Sequence, residues 1–354
     1  MIDNIQLFQR FYLSSKPVYL IQYVTARCNL CCKMCFYMEQ ILKSDKSKEL
    51  SIDEFQKIAQ NFSHLVQVSI GGGEPFIRED LGEILHIFRK TSNVMYFTLP
   101  TNGTFPERTE RFLHETLPRL YPAHLRMSLS LDGIGDDHDR IRGIEGTFER
   151  FTETYKRISP LRKIYSNFSL DIVTTCSTLN HENIEQIYNY TQDNFDVDNI
   201  GLLYVRGDTD EKVKQVFLNF YRDTYIKIDK YNVRKKENRP FSNVFRAISA
   251  EVHDIVYNTV LYNKYYIPCE AGRRMLVISE EGVVSPCEIL PVNFGNLRDY
   301  DFNISRILAK EEVRKVVQNI KKDKCFCTFE CAHSLNVMFH RKLKILSRFI
   351  RSLF

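Results

Sequence analysis

Apolar residues in this chain follow two periods that take turns. Val18 to Val24, Val66 to Ile70, Val94 to Leu99, Leu125 to Leu131, Phe168 to Thr174 and Ile200 to Val205 are short apolar or alternating stretches, the texture of strands. Between them the spacing turns helical. Phe55, Ile58, Ala59 and Phe62 form one stripe, Leu81, Ile84, Leu85 and Phe88 a second, and Phe148, Phe151, Tyr155 and Ile158 a third. Ser51-Ile-Asp-Glu54 reads as a capping box, and Asn180 as a cap for the helix after the fifth strand. Strands alternating with helices predict an α/β fold with a parallel sheet, whose sites gather at the C-terminal ends of the strands. The unusual short segments of this part of the chain all lie at such ends, so the pattern alone points there.

Beyond the last strand the texture changes. Residues 209–262 are polar and aromatic, with a basic run near Arg234 to Arg239, and predict a helical connector. From Ile267 a small hairpin-rich module is expected, with turns at Glu281-Gly282 and Ser285-Pro286. Ile5, Phe8, Phe11 and Tyr12 predict a short helix ahead of the first strand. The expected division is an N-terminal helix over 1–16, a barrel over 17–208, the connector over 209–262, the small module over 263–333 and a C-terminal helix over 334–354. That last helix sets Arg341, Lys344, Arg348 and Arg351 against Phe339, Leu343, Leu346, Ile350 and Leu353. It suits either packing on the barrel or an anionic membrane surface.

Composition excludes more than it selects. The 354 residues carry a net charge of +5, which gives no case for nucleic acid. No apolar run is long enough to span a membrane, and Met1 to Ser15 lacks the pattern of a signal peptide. The ten cysteines cluster instead of spreading as a disulfide framework would, so reduced thiols in the cytoplasm are expected.

Chemistry concentrates where the cysteines do. Cys28, Cys31, Cys32 and Cys35 follow the first strand. They read either as a C-x3-C-x2-C triplet with Cys31 spare, or as two abutting C-x2-C pairs of a zinc site. Soft thiolates select iron–sulfur clusters, zinc or copper(I). Abutting pairs leave no residue for the chain to turn around a tetrahedral ion, and zinc knuckles are normally separated. A triplet, by contrast, would hold three irons of a [4Fe–4S] cube and leave the fourth open. One βα unit later stands Gly72-Gly73-Glu74-Pro75, then Thr101-Asn102-Gly103, Ser130-Leu131-Asp132-Gly133 and His138 to Gly143. Ser128 and Ser130 share one side of their strand.

In that combination the chain, over residues 17–333, resembles the radical S-adenosylmethionine (SAM) enzymes. The family usually has an aromatic residue before its last cluster cysteine; here that position is Met34, followed by Phe36 and Tyr37. The resemblance implies a partial (β/α)6 TIM-type barrel with a [4Fe–4S] cluster on Cys28, Cys32 and Cys35. It implies SAM contacts from Phe36, Gly72, Gly73, Glu74, Pro75, Thr101, Asn102, Ser128, Ser130, Asp132 and Arg142, with looser ones near Thr174 and Thr175. Arg142 reads as a carboxylate clamp or a loop salt bridge, and Cys176 as a packed thiol. The expected chemistry is reductive cleavage of SAM to a 5′-deoxyadenosyl radical that takes hydrogen from a substrate.

Cys269, twelve residues, Gly282, four residues and Cys287, with Cys325, Cys327 and Cys331, resemble the SPASM/twitch modules of that family. Five thiols suffice for one auxiliary [4Fe–4S] cluster. Cys269, Cys287 and Cys331 are the firmer ligands, with Cys325 or Cys327 or a substrate as the fourth; a zinc ribbon is the alternative. Tyr204 and Arg206, at the end of the last strand, are candidates for substrate contact. The substrate expected is a small molecule, such as a sugar or lipid-linked intermediate, since no added N-terminal peptide-recognition domain is visible. A peptide is the second reading and a non-catalytic metal scaffold the third. Flavodoxin or ferredoxin would supply electrons.

Overall fold

The computed structural model describes residues 9–10, 16–206, 215–235 and 242–351. Most of the helix expected over 1–16, together with Gly207, Asp208 and most of the basic run up to Arg239, lies outside them. Strands β1 (Tyr19–Thr25), β2 (Gln67–Gly72), β3 (Tyr96–Thr101), β4 (His124–Ser130), β5 (Phe168–Cys176) and β6 (Asn199–Tyr204) pair in sequence order, all parallel. The sheet is open. Helices α1 (Ile52–Asn61), α2 (Leu81–Thr91), α3 (Pro106–Leu120), α4 (Asp136–Arg142), α5 (Thr147–Ile158) and α6 (Ile184–Asn194) join the strands. The capping box on α1 is present, Ser51 and Glu54 each bonding the other's backbone N–H. The longest of these helices, α3, has no counterpart in the apolar stripes above. Asn180 stands at the N-cap of the short turn His181–Asn183 that leads into α6, but its side chain makes no capping bond; its amide instead donates to the carbonyls of Asp132 and Thr175 at 3.1 and 2.9 Å, tying β5 to the end of β4.

Side chains alternate across the sheet. Leu20 and Val24 of β1 join the core under the helices, while Tyr19, Ile21 and Tyr23 face the other side with Met275, Val277 and Phe329. That inner side is partly polar. The Tyr19 hydroxyl meets Ser69 at 2.7 Å, Ser69 meets Thr98, and Arg126 pairs with the buried Asp171.

The connector is helical, as α7 (Leu218–Arg234) and α8 (Ser242–Tyr262). These helices serve the exposed edge of β6, whose outward backbone groups would otherwise lack partners. The Asn232 amide accepts the Ile200 N–H at 3.1 Å and donates to the Ile200 carbonyl at 2.8 Å. His253 bonds the backbone of Leu202. Glu330 accepts the Tyr204 N–H at 2.7 Å. Three side chains stand where a seventh strand would pair.

The C-terminal module does not stand apart. Its first strand, β7 (Met275–Ile278), adds parallel to β1, and β8 (Val283–Ser285) and β9 (Gly295–Asn296) follow antiparallel, extending one sheet to nine strands. Gly282 turns β7 into β8 at φ +87°, which explains the glycine in that motif. Beyond the sheet the module is helical, with α9 (Glu311–Lys322) and α10 (Glu330–His340), so hairpins describe only part of it. Arg298 fastens it to the barrel, its fork on Glu54 at 2.7 and 3.0 Å. The last helix, α11 (Lys342–Arg351), docks on α8: Lys344 pairs with Glu251 at 3.2 Å and Ile345 packs on the core, while Leu343 is exposed. Among the described residues no helix is long and apolar enough to cross a membrane.

Candidate functional site: two groups of thiols

The loop after β1 is gripped by backbone. Gly73 N–H donates to the Thr25 carbonyl at 2.8 Å and Glu74 N–H to the Arg27 carbonyl at 2.9 Å. A Cβ on Gly72 would lie 2.1 Å from the Thr25 oxygen, one on Gly73 2.1 Å from the Arg27 oxygen, and one on Gly143 2.6 Å from the Cys31 oxygen. Glycine is therefore needed at each point for the strands to approach the loop. Arg27 forks onto Glu49 at 2.9 and 3.1 Å, and Arg78 donates to the Val24 and Leu50 carbonyls.

Cys28, Cys32 and Cys35 are half-buried free thiols, whereas Cys31 is exposed. Burial pushes Cys28 up to about 12, with Glu74, Cys32 and Cys35 adding to the rise. Burial also raises Cys32, while the Arg142 guanidinium beside it pulls it back. These three thiols thus share one electrostatic neighbourhood. Without metal they hold their protons; binding iron would displace them. Among the described residues no three His, Cys, Asp or Glu side chains close to single-ion distance. A four-iron cube spreads its thiolates wider than one ion does. Half-buried unpaired thiols, a glycine-lined cradle and a cation at one sulfur together fit the cluster.

Around them the predicted residues divide. Glu74 turns its carboxylate inward, accepting from the Thr101 hydroxyl (2.8 Å), the Phe76 N–H (3.2 Å) and the Asn102 N–H (2.8 Å). It is 2% exposed, and burial pushes it up to about 7. Asn102 bonds Asn29 at 2.9 Å and Thr104 at 2.6 Å. Glu74, Thr101 and Asn102 therefore use their side chains to brace the loop after β1. Pro75 is buried and opens a single helical turn. Ser128 and Ser130 are half-exposed on the lumen side with Arg126.

Arg142 forms the loop salt bridge of its second reading and also reaches a thiol. One arm pairs with Asp132 Oδ2 at 2.5 Å, and the other donates to Cys32 Sγ at 3.7 Å. Asp132 is held by the Thr175 N–H at 2.7 Å, so its carboxylate fixes the guanidinium against the Cys32 sulfur. Cys176 is buried, as a packed thiol would be.

The second thiol group packs on the Tyr19, Ile21 and Tyr23 side of β1. Cys269, Cys287, Cys325 and Cys327 sit close enough that burial and one another's charge raise Cys269 to about 11 and Cys327 to about 12. Cys287 Sγ accepts the Leu290 N–H at 3.3 Å, and His333 bonds the Cys327 carbonyl at 2.7 Å. Cys331 has charged company: the Arg206 Nη2 lies 3.9 Å from its sulfur, with Glu288 and Glu330 adjacent. Free thiols in this number and hydrogen bonding to sulfur fit an iron–sulfur cluster.

Between the groups stand residues the sequence did not single out. Tyr23 donates to Glu288 Oε1 at 2.6 Å, and Arg206 donates to Glu288 Oε2 at 2.6 Å. Tyr37 donates to Glu280 at 2.6 Å, and its ring meets that of Tyr23 edge-on at 4.7 Å. The Arg206 guanidinium lies over Phe329 at 4.5 Å and Phe36 at 5.5 Å. Adjacency was the available signal: Glu288 follows Cys287, Glu330 precedes Cys331, and Tyr37 is two residues past Cys35. Tyr204 does not reach the lumen. Its ring is fully buried against Phe217 and Tyr221, on the side of β6 away from the lumen, because strand alternation puts Ile200, Leu202 and Tyr204 together.

Residues 23–193 match the family model described as Radical SAM superfamily, and residues 269–332 the one described as Iron-sulfur cluster-binding domain, SPASM. The chain is 28% identical over 302 residues to the AdoMet-dependent heme synthase of Methanosarcina barkeri, covering 82% of each. It is 25% identical over 321 residues to the antilisterial bacteriocin subtilosin biosynthesis protein AlbA of Bacillus subtilis, covering 87% of this chain and 65% of AlbA. In fold it is similar to anSMEcpe with bound AdoMet, at 19% identity and TM-score 0.57, covering 95% and 98% of the two chains. It is similar also to Streptococcus suis SuiB bound to the precursor peptide SuiA, at 15% identity and TM-score 0.56, covering 88% and 69%.

Proposed function

Because the chain belongs to the radical SAM superfamily and carries a SPASM domain, we propose that it abstracts hydrogen from a substrate held in the lumen between its two thiol groups. The enzyme's cofactors are SAM, a [4Fe–4S] cluster and an auxiliary cluster. When bound, they supply one-electron cleavage of the sulfonium and a radical able to take hydrogen. In this reading Cys28, Cys32 and Cys35 hold the SAM cluster, and Cys269, Cys287 and Cys331, with Cys325 or Cys327, hold the auxiliary one.

The chain's own residues bind, orient and exclude water. Arg142 donates to Cys32 Sγ and is kept there by Asp132. Phe36, half-exposed beside Arg206, and the wall of Tyr23, Glu288 and Arg206 face the substrate; Glu288, bonded to a phenol and a guanidinium, is placed to accept a proton. The observation that carries the proposal is the grouping of three half-buried thiols, with Cys31 outside it, against an arginine.

A small-molecule substrate is the first reading, supported by the heme synthase, whose match covers most of both chains. A peptide is the second, supported by AlbA and by SuiB with its precursor. A flavodoxin or ferredoxin is the proposed electron donor. The location proposed is the cytoplasm, with the basic terminal helix suited to the inner membrane face; liposome flotation with and without residues 342–354 checks this. Anaerobic reconstitution with dithionite and SAM tests the chemistry. The expected result is 5′-deoxyadenosine, with about eight irons per chain for two clusters. Zinc in place of iron, with SAM left intact, would sink the proposal.

A further inference from the structure

Arg206 is asked to serve three neighbours at once. Nη1 donates to Glu288 Oε2 at 2.6 Å. Nη2 lies 3.9 Å from Cys331 Sγ and 3.5 Å from Glu330 Oε2, an ion-pair distance without a hydrogen bond. The guanidinium carbon lies 4.5 Å from the Phe329 ring centroid and 5.5 Å from that of Phe36. Glu330, 6% exposed, opens α10 directly before Cys331. Its other oxygen accepts the Tyr204 N–H, two residues before Arg206 on the unpaired edge of β6. One carboxylate therefore grips the strand that delivers the arginine and faces the arginine itself, and it is covalently next to the sulfur the arginine approaches.

We propose that Glu330 is a positioning residue for the auxiliary cluster: it shares Arg206 with Cys331 Sγ and so sets how much positive charge that sulfur feels. The inference rests on Cys331 being a cluster ligand. The potential of an iron–sulfur cluster depends on net charge and on hydrogen bonds to its sulfurs. Carboxylate and thiolate compete for one N–H pair. With the carboxylate charge removed, Nη2 turns wholly to the sulfur and its cation is no longer offset. The reduced cluster, the more negative form, gains more from this than the oxidised one.

The test uses the full-length chain with Cys28, Cys32 and Cys35 all changed to Ala, reconstituted so that the auxiliary cluster is its only iron–sulfur group, and poised in an EPR-monitored redox titration. In that background Glu330→Gln still accepts the Tyr204 N–H, so iron content and circular dichroism stay as before while the midpoint potential rises. Arg206→Gln, which removes the cation, moves it the other way; general loosening of the fold would not give opposite signs. Adding Cys331→Ala checks the ligand reading, with loss of the cluster expected. An unshifted potential in Glu330→Gln with full iron, alongside loss in Cys331→Ala, overturns the inference alone. Retention of the cluster in Cys331→Ala overturns the ligand reading and the inference with it.

Discussion

The two thiol groups are held by different means. Around Cys28, Cys32 and Cys35 the contacts are mostly backbone to backbone, and three glycines let neighbouring segments lie flush against the loop. Around Cys287 and Cys331 they are charged side chains: Arg206, Glu288 and Glu330. The first arrangement fixes shape and tolerates no added atom. The second sets an electrostatic environment and tolerates changes of size better than changes of charge. The difference matches the roles proposed above, in which the first group presents a rigid open corner and the second is tuned by charge.

That contrast can be broken most severely on the backbone side. Gly73→Ala places a Cβ 2.1 Å from the Arg27 oxygen, where only main chain could give way. We expect 5′-deoxyadenosine formation at background and about half the iron lost, since one of two four-iron clusters goes. Cys32→Ala gives the same outcome, whereas Cys31→Ala, at an exposed thiol, keeps wild-type turnover and iron. Equal losses in Cys31→Ala would restore the paired-knuckle reading.

Next in size is a pH effect at the brace beneath the loop. Glu74, buried, titrates at about 7 in the fold, above the ~4.3 of a free glutamate. The native state therefore binds the extra proton, and stability falls as pH rises from about 4 to 7, by roughly 2–4 kcal/mol if the shift is fully expressed. Glu74→Gln cannot ionise and should gain on the wild type across that window. Urea unfolding of the metal-free protein at pH 5, 6, 7 and 8 measures it; parallel curves would show that the carboxylate is not isolated from water.

The smallest effect is expected where the module is fastened to the barrel. Arg298 is partly exposed, so removing its fork from Glu54 by Arg298→Ala should cost only about 1 kcal/mol. The thermal midpoint should drop by only about 1–2 °C in a chain of this length. A loss of auxiliary iron in this variant would mean that the module's attachment, and not its internal charges, holds the second thiol group.

Six parallel strands and the helices carrying apolar stripes were legible before any coordinates, because a period of two or of 3.6 belongs to contiguous chain. The helix over Pro106–Leu120 escaped because its buried positions include Thr109 and Thr116, which no apolar stripe would count. The thiol triplet and the glycine segments were legible for a like reason: their chemistry is written in local spacing. Partnership across the chain was not. Tyr23 meets Glu288 over 265 positions, and Tyr204 meets Glu330 over 126. Nor could local pattern show that Glu74 turns inward, that Tyr204 points away from the lumen, or that β7 joins β1. Those outcomes depend on which buried polar group must find a partner once distant segments are packed together. Burial makes an unmet donor or charge costly, and only the folded arrangement determines which residue is near enough to meet it.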